Sequence, residues 1–264
     1  MDWDKYLFEE REAPLADLSE ARYSRTSVFR TMAFIGDSLS SGEFESRDAE
    51  GKPHFHDMFE YSWGQYIARK NGLTAYNFSR GGMTAKEYMD SFAEKKGFWT
   101  QELACQAYVI AMGCNDLYGR NMEIGSIADI DPKDYTKNQP TFAGYYAQII
   151  SRYKEISPDA KFFFVTLPRT DNPKKEEKAE KMAELLHALA DYFDNSYVID
   201  LHQYAPIYDK RFRERFYLYG HLSPEGYIFT AEMIDRYIDY IVRHDYNNFK
   251  TVGFIASDRN GGKR

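Results

Sequence analysis

The sequence has few of the features that mark secreted, membrane or nucleic-acid-binding proteins. It contains only two cysteines, Cys105 and Cys114, in 264 residues, too few for a disulfide framework. Its first residues form no apolar signal segment, and no apolar run approaches the roughly 20 residues that a membrane-spanning helix needs. The 41 acidic and 34 basic residues give no electrostatic attraction for nucleic acid or anionic lipid. We therefore expect a cytoplasmic protein without nucleic-acid or membrane partners.

Five short apolar runs, each rich in β-branched or aromatic residues, predict buried strands. Between and after them, apolar side chains recur every three or four residues, which is typical of helices packed on one face. This alternation predicts an open parallel α/β sheet covered on both faces. We expect an N-terminal extension (1–30) packed on one domain (31–246), followed by a loosely ordered tail (247–264). The predicted strands cover residues 31–35, 74–78, 107–112, 161–166 and 197–201.

Polar residues follow the first three predicted strands, where open α/β sheets carry their functional loops. Ser38 follows the first strand, Gly82 the second and Asn115 the third, while His221 precedes the last predicted helix. Each of them alone is typical of a turn, a helix cap or a structural histidine. Gathered at one sheet edge, however, they supply a nucleophile, oxyanion donors and a base, which are the groups that acyl transfer requires.

Four segments of the chain resemble, in order, the four sequence blocks of the SGNH/GDSL hydrolases. They are Gly36-Asp37-Ser38-Leu39, the segment 77–82, Gly113-Cys114-Asn115-Asp116, and His221-Leu222-Ser223-Pro224. Each block is a modest match, but four in the right order are specific. The resemblance covers roughly residues 31–243 and identifies the chain as a member of this family.

The resemblance implies an α/β fold with three layers, in which a five-stranded parallel, flavodoxin-like sheet lies between helices. It implies that Ser38 is the nucleophile and His221 its general base. The oxyanion hole would consist of the backbone N–H groups of Ser38 and Gly82 and the side-chain amide of Asn115. The reaction would be hydrolysis of a small-molecule carboxylic ester through an acyl-enzyme, without a metal ion or an organic cofactor.

One position departs from the family pattern. SGNH hydrolases usually carry an acid three residues before the histidine, and here that residue is Leu218. Such an acid fixes the tautomer of the histidine, and disabling it in another enzyme costs roughly 10⁴ in kcat. A backbone carbonyl could orient His221 instead, another acid could reach it, or the chain could be a degraded enzyme that only binds. The candidate acids are, in order, Asp209, Glu214 and Asp200.

The expected substrate carries a small acyl group, acetyl first, on a polar or carbohydrate alcohol. Two long segments, 43–62 and 117–140, are expected to shape the pocket through their aromatic residues. A catalytically silent carbohydrate-binding relative and an O-acyltransferase remain alternatives, as does a flavodoxin-like protein that binds phosphate at its first glycine-rich turn. The aromatic residues concerned are Phe44, Phe55, Phe59, Tyr61, Tyr118 and Tyr135.

Further polar residues suggest functions that the sequence favours less. His54, His56 and Asp57 could bind a metal ion, although histidines in a polar loop are usually just exposed. Cys114 could act as a nucleophile with the histidine, but a small spacer within the motif is favoured. The arginines that follow predicted strands could recognise a carboxylate or a sugar oxygen, or form surface ion pairs. These arginines are Arg80 and Arg169.

Overall fold

The computed structural model describes residues 13–16 and 24–256. Most of the predicted N-terminal extension lies outside this range, and so does the end of the predicted tail. Within the described residues, nine strands form one large sheet and two small hairpins. In chain order they are β1 (Thr31–Gly36), β2 (Glu43–Arg47), β3 (Pro53–Asp57), β4 (Thr74–Asn77), β5 (Ala107–Ala111), β6 (Lys161–Val165), β7 (Ser196–Ile199), β8 (Tyr217–Leu218) and β9 (His221–Leu222).

The large sheet has five parallel strands in the spatial order β4-β1-β5-β6-β7. These are the five strands that the sequence predicts, with ends that differ by one or two residues. β1, β5 and β6 are buried along almost their whole length, which explains why they are continuous apolar runs rather than alternating ones. The predicted α/β class and the five-stranded parallel sheet are confirmed.

Helices cover the sheet on both sides, as right-handed crossovers between parallel strands require. α2 and α9 pack against each other, and α5 packs against α3. Within the described residues, no helix has both the length and the apolar character that a membrane crossing needs. The helices are α1 (Ser38–Ser41), α2 (Trp63–Asn71), α3 (Ala85–Glu87), α4 (Ala93–Lys95), α5 (Phe142–Ile156), α6 (Pro173–Tyr192), α7 (Leu201–Tyr204), α8 (Lys210–Phe216), α9 (Pro224–His244) and α10 (Tyr246–Phe249).

Two antiparallel hairpins lie next to each other beside the large sheet. β2 pairs with β3 shortly after α1. Both strands lie in the segment 43–62, which was expected to shape the pocket. β8 pairs with β9 through the two-residue turn Tyr219-Gly220, where Tyr219 has a left-handed backbone at φ 58°. β2 contacts both β8 and β9. The pair of hairpins therefore brings residues 43–47 next to His221, although about 175 residues separate them along the chain.

The expectation of a loosely ordered tail from residue 247 is wrong up to residue 256. α10 follows α9 directly, and Phe249, Val252 and Ile255 are all buried. The Phe249 ring packs edge-on against Phe29, with ring centroids 6.1 Å apart, and lies 5.3 Å from the ring of Tyr197. The tail is attached because the side chains of Phe249, Val252 and Ile255 belong to the hydrophobic core of the domain.

We predict that Phe249→Ala lowers the free energy of unfolding by about 3–5 kcal/mol, the usual cost of truncating a buried phenylalanine. Ile228→Ala, at a position that is 41 % exposed, should change it by less than about 0.5 kcal/mol. Urea unfolding followed by circular dichroism measures both values. A cost below about 1 kcal/mol for Phe249→Ala would show that residues 246–256 do not contribute to the folded domain.

Candidate active site

Ser38 lies at the sharp turn between β1 and α1. Asp37 caps this helix, because its Oδ1 accepts a hydrogen bond from the Leu39 N–H at 3.1 Å. A side chain at Gly36 would meet the Ala111 carbonyl oxygen at 2.7 Å, so only glycine lets the turn pass this close to β5. The turn leaves Ser38 half-buried at the carboxyl end of β1, next to the central strand β5.

Ser38, Asn115 and His221 line the same cavity, whose volume is about 470 Å³. The cavity also contacts the ends of β5 and β6 through Met112 and Thr166. It opens where the carboxyl ends of the parallel strands meet, as expected for an open α/β sheet. The structure therefore brings the predicted nucleophile, one predicted oxyanion donor and the predicted base to one site.

The Asn115 side chain is oriented by neighbouring polar groups. Its Nδ2 donates to the Met83 carbonyl at 3.1 Å and, more weakly, to Asp37 Oδ2 at 3.4 Å. Gly82 is not among the residues that line the cavity. It precedes Met83 in a turn and has a left-handed backbone at φ 70°, which glycine adopts without strain.

The imidazole of His221 lies between two carboxylates from β2. Its Nδ1 is 3.4 Å from Glu45 Oε2, and its Nε2 is 3.1 Å from Glu43 Oε1. All three side chains are largely buried, with 14 % of His221 and of Glu43 and 6 % of Glu45 exposed. The structure records no hydrogen bond between the Ser38 hydroxyl and His221, and Nε2 faces Glu43 instead.

The two glutamates differ in their electrostatic environment. Burial opposes the ionisation of Glu45, but hydrogen bonds from the Gly220 N–H and His221, with the nearby Arg47, outweigh it and hold its pKa below the usual value. Burial raises the pKa of Glu43, and the neighbouring charges of Asp57 and Glu45 add to this effect, although His221 acts against it. Glu45 is thus the stable anion of the pair, while Glu43 takes up a proton more readily.

A profile of the GDSL-like Lipase/Acylhydrolase family matches residues 34–228, which is more than half of the chain. The chain belongs to this family. The prediction of an SGNH/GDSL hydrolase is confirmed, and the protein is a carboxylic ester hydrolase of the acylhydrolase class. A comparison with curated proteins finds no match.

Solved structures with the same fold include two carbohydrate esterases from Clostridium thermocellum. The family two enzyme, in complex with cellohexaose, is 16 % identical with a TM-score of 0.57, and the match covers 86 % of this chain and 66 % of that one. The family 3 enzyme is 14 % identical with a TM-score of 0.53, and the match covers 81 % of this chain and 98 % of that one. At these identities the likeness shows that this GDSL protein has the SGNH hydrolase fold.

The acids that the sequence proposed as partners of His221 are bonded elsewhere, so this prediction is wrong. Asp209 caps α8 by accepting from the Phe212 N–H at 2.9 Å, and Glu214 forms an exposed pair with Lys210. Asp200 accepts from His187 and Thr166. Asp209 and Asp200 cap the helices that follow them, while Glu214 faces solvent on α8.

Sequence reasoning missed Glu43 and Glu45 because it treated their segment as a loop. One signal was present: charged residues at 43, 45 and 47 alternate with Phe44 and Ser46, a period-two pattern typical of a strand. It predicts which side chains share a face of β2. It does not predict that this face meets His221, since that contact depends on packing between distant hairpins.

Of the aromatic residues predicted to shape the pocket, Tyr118 lines the cavity, together with Tyr208, Tyr217 and Tyr219, which were not predicted. Phe55 packs against the His221 ring, with centroids 5.6 Å apart. The rest do not line the cavity: Phe44 packs against Tyr61 and Tyr227, Tyr135 bonds to Glu155, and Phe59 begins a short 3-10 turn.

The other polar candidates in this GDSL chain mostly have partners of their own. His54 bonds to Asp48 and His56 to Ser46, and among the described residues no three histidine, cysteine or acidic side chains converge as metal ligands would.

Arg80 forms an ion pair with Glu87. The Nε of Arg169 is buried and without a hydrogen-bond partner in the described part of the chain. Cys105 and Cys114 are both free thiols. Burial raises the pKa of Cys114 to about 12, which makes it a poor nucleophile.

Burial raises the pKa of Asp37 to about 6, from an ordinary 3.8, although the Leu39 N–H and His221 act against it. An acid with a raised folded-state pKa favours folding at low pH and loses this contribution as the pH rises through that value. We therefore predict that Asp37→Asn, which keeps the helix cap, stabilises the protein at pH 8 by up to about 3 kcal/mol. Thermal unfolding at several pH values measures the gain, which should shrink towards pH 4. A gain that is absent, or equal at both pH values, would contradict this account.

Proposed function

We propose that the protein is a serine esterase that hydrolyses small acyl groups, acetyl first, from a polar alcohol such as a carbohydrate. One observation carries the proposal: Ser38, Asn115 and His221 line a single cavity in a chain that belongs to an acylhydrolase family. A nucleophile, a base and an oxyanion donor within one cavity are the set that acyl transfer needs.

In the proposed mechanism His221 Nε2 accepts the proton of the Ser38 hydroxyl while Ser38 Oγ attacks the ester carbonyl. The protonated histidine then gives this proton to the departing alcohol. Water attacks the acyl-enzyme with the same histidine as its base, which releases the acid and restores Ser38. Because Glu43 is within 3.1 Å of Nε2, it must move aside, or rotate, as the Ser38 hydroxyl approaches this nitrogen.

The proposed oxyanion hole consists of the N–H groups of Ser38 and Gly82 and the side-chain amide of Asn115. The bond from Asn115 to the Met83 carbonyl orients the amide, and its longer bond to Asp37 is the one that a developing oxyanion would replace. Preorganised donors of this kind avoid reorganisation at the moment of reaction. Gly82 does not line the cavity, so, unlike the other two donors, its N–H reaches the oxyanion only if its turn moves.

The polar alcohol of this proposal is supported by polar residues in a cavity that is otherwise largely apolar. Thr170 and Lys175 line the cavity beside apolar residues such as Val165 and Leu167. Two structures of the same fold are named as carbohydrate esterases. An acetyl group fills only a small part of about 470 Å³, which leaves most of the space for the alcohol.

Ser38→Ala should abolish both hydrolysis of p-nitrophenyl acetate and labelling by a fluorophosphonate, because no other nucleophile is activated at this site. Ser126→Ala, at an exposed loop position, serves as the control and should keep both. Initial rates and mass spectrometry of the labelled protein measure the outcome. A wild type that neither reacts nor labels would point to a protein that only binds.

Asn115→Ala should lower kcat by about 10²–10³-fold, the usual cost of removing one oxyanion donor. Folding is checked by the thermal unfolding midpoint, which separates a lost donor from a lost structure. If kcat falls less than threefold, Asn115 is not an oxyanion donor.

Acetyl esters should react faster than octanoyl esters of the same alcohol, and acetylated sugars should be substrates. Values of kcat/KM for a series of p-nitrophenyl esters, with acetate release from acetylated xylo-oligosaccharides, measure this preference. A tenfold preference for the long acyl chain would refute the small-acyl part of the proposal and leave the serine mechanism standing.

A further inference from the structure

We propose that Glu45, on the hairpin that follows the nucleophile, is the positioning residue that orients His221 in place of the acid missing at Leu218. The proposal rests on the serine esterase function proposed above. It assigns the orienting role to a different element of the fold, since the usual acid and the histidine lie on one short segment whereas Glu45 comes from β2.

Three groups hold the Glu45 carboxylate in place. The Gly220 N–H donates to its Oε2 at 2.9 Å, Arg47 Nη2 donates to its Oε1 at 2.6 Å, and His221 Nδ1 lies 3.4 Å from Oε2. Arg47 is itself held over the ring of Tyr219, at 5.0 Å from its centroid. A carboxylate with fixed partners on both oxygens keeps one orientation, which is what the partner of a catalytic histidine requires.

The turn between β8 and β9 is built to admit this carboxylate. A Cβ at Gly220 would lie 2.7 Å from Glu45 Oε2, so a larger residue there would push the carboxylate away. The distance of 3.4 Å to Nδ1 is longer than an ideal hydrogen bond. Catalytic hydrogen bonds are often long in free enzymes and shorten when substrate binds.

Leu218 does not contribute a polar group to His221, although the two are cross-strand partners. Its side chain is 42 % exposed. Cross-strand partners have Cβ atoms about 4.5–5.5 Å apart, so a short acid at position 218 would lie within reach of the imidazole. The geometry would thus allow a carboxylate to reach the imidazole either from position 218 or from β2. In this chain the carboxylate comes from β2.

Glu43 and Glu45 contact opposite nitrogens of the ring, so their roles differ. A carboxylate at Nδ1 favours the tautomer with its proton on Nδ1, which leaves the Nε2 lone pair free to act as a base. A carboxylate at Nε2 favours the opposite tautomer. The charges that face His221 are Glu43, Glu45 and, further away, Asp37, while Arg47 pairs with Glu45. Only Glu45 favours the tautomer that the reaction needs.

The first test compares Glu45→Gln with Glu214→Gln, an exposed glutamate on α8. Glu45→Gln should lower kcat/KM for p-nitrophenyl acetate by about 10²–10⁴-fold, whereas the control should stay within threefold of wild type. The double variant Glu45→Gln/Leu218→Asp should have a kcat/KM at least about tenfold higher than that of Glu45→Gln alone.

The second test observes the ring directly and does not need activity. In ¹⁵N-histidine-labelled protein, at a pH above the titration of the ring, nitrogen shifts should show His221 with its proton on Nδ1. The signal is assigned by its absence in His221→Asn. In Glu45→Gln the same ring should shift towards the tautomer with its proton on Nε2.

Glu45→Gln with activity within threefold of wild type, or with its Nδ1-protonated ring unchanged, would overturn the proposal. The failure of the serine esterase proposal would look different: wild type and Ser38→Ala would hydrolyse the ester at equal rates. In that case the nitrogen shifts would still decide whether Glu45 orients His221.

Discussion

The site depends on one constraint: all five strands of the sheet run in the same direction, so their carboxyl ends meet at one edge. β1 and β5 are neighbours in register, which places the turn after Gly36 beside the turn after Ala111. The two turns carry Ser38 and Asn115. Substituting a core residue that holds β1 against β5 would therefore disturb the chemistry as well as the fold.

The same edge concentrates buried negative charge. Burial raises the pKa values of both Asp37 and Asp116 to about 6. Glu43 and Glu45 lie on either side of the His221 imidazole. Such burial is costly unless each carboxylate has a partner. Glu45 is fully bonded, while Glu43 contacts the nitrogen that the proposed mechanism gives to Ser38. The carboxylate of Glu45 on one side of His221 is thus fully hydrogen-bonded, whereas that of Glu43 on the other side is less stable as an anion. Glu43 is therefore the side chain that can move away from the His221 Nε2 when Ser38 approaches it.

The sequence predicts the part of this arrangement that depends on local pattern. Short apolar runs predict the strands, the order of strands and helices predicts the sheet edge, and the motif residues Ser38, Asn115 and His221 are brought to one cavity. What it misses depends on contacts between distant segments. Glu45 lies about 175 residues from Gly220, and nothing near either residue specifies that their hairpins touch.

The missed tail has a similar cause. In residues 246–256 the side chains of Phe249, Val252 and Ile255 are buried, and Phe249 packs on aromatic rings from other elements, Phe29 and Tyr197 among them. These residues recur every three positions, but so short a repeat does not predict which surface of the protein they contact. The predicted acids failed for the opposite reason: Asp209 and Asp200 satisfy local helix ends, where a nearby partner is available before a distant one.

The central claim is that Ser38 becomes acylated during turnover. The most direct measurement is rapid acid quenching of the enzyme during hydrolysis of an acetyl ester, followed by peptide mass spectrometry. The account predicts an acetyl group on the peptide that contains Ser38, at the serine itself, and none in Ser38→Ala. Turnover without an acyl group on Ser38, or with one on Cys114 or another residue, would contradict it.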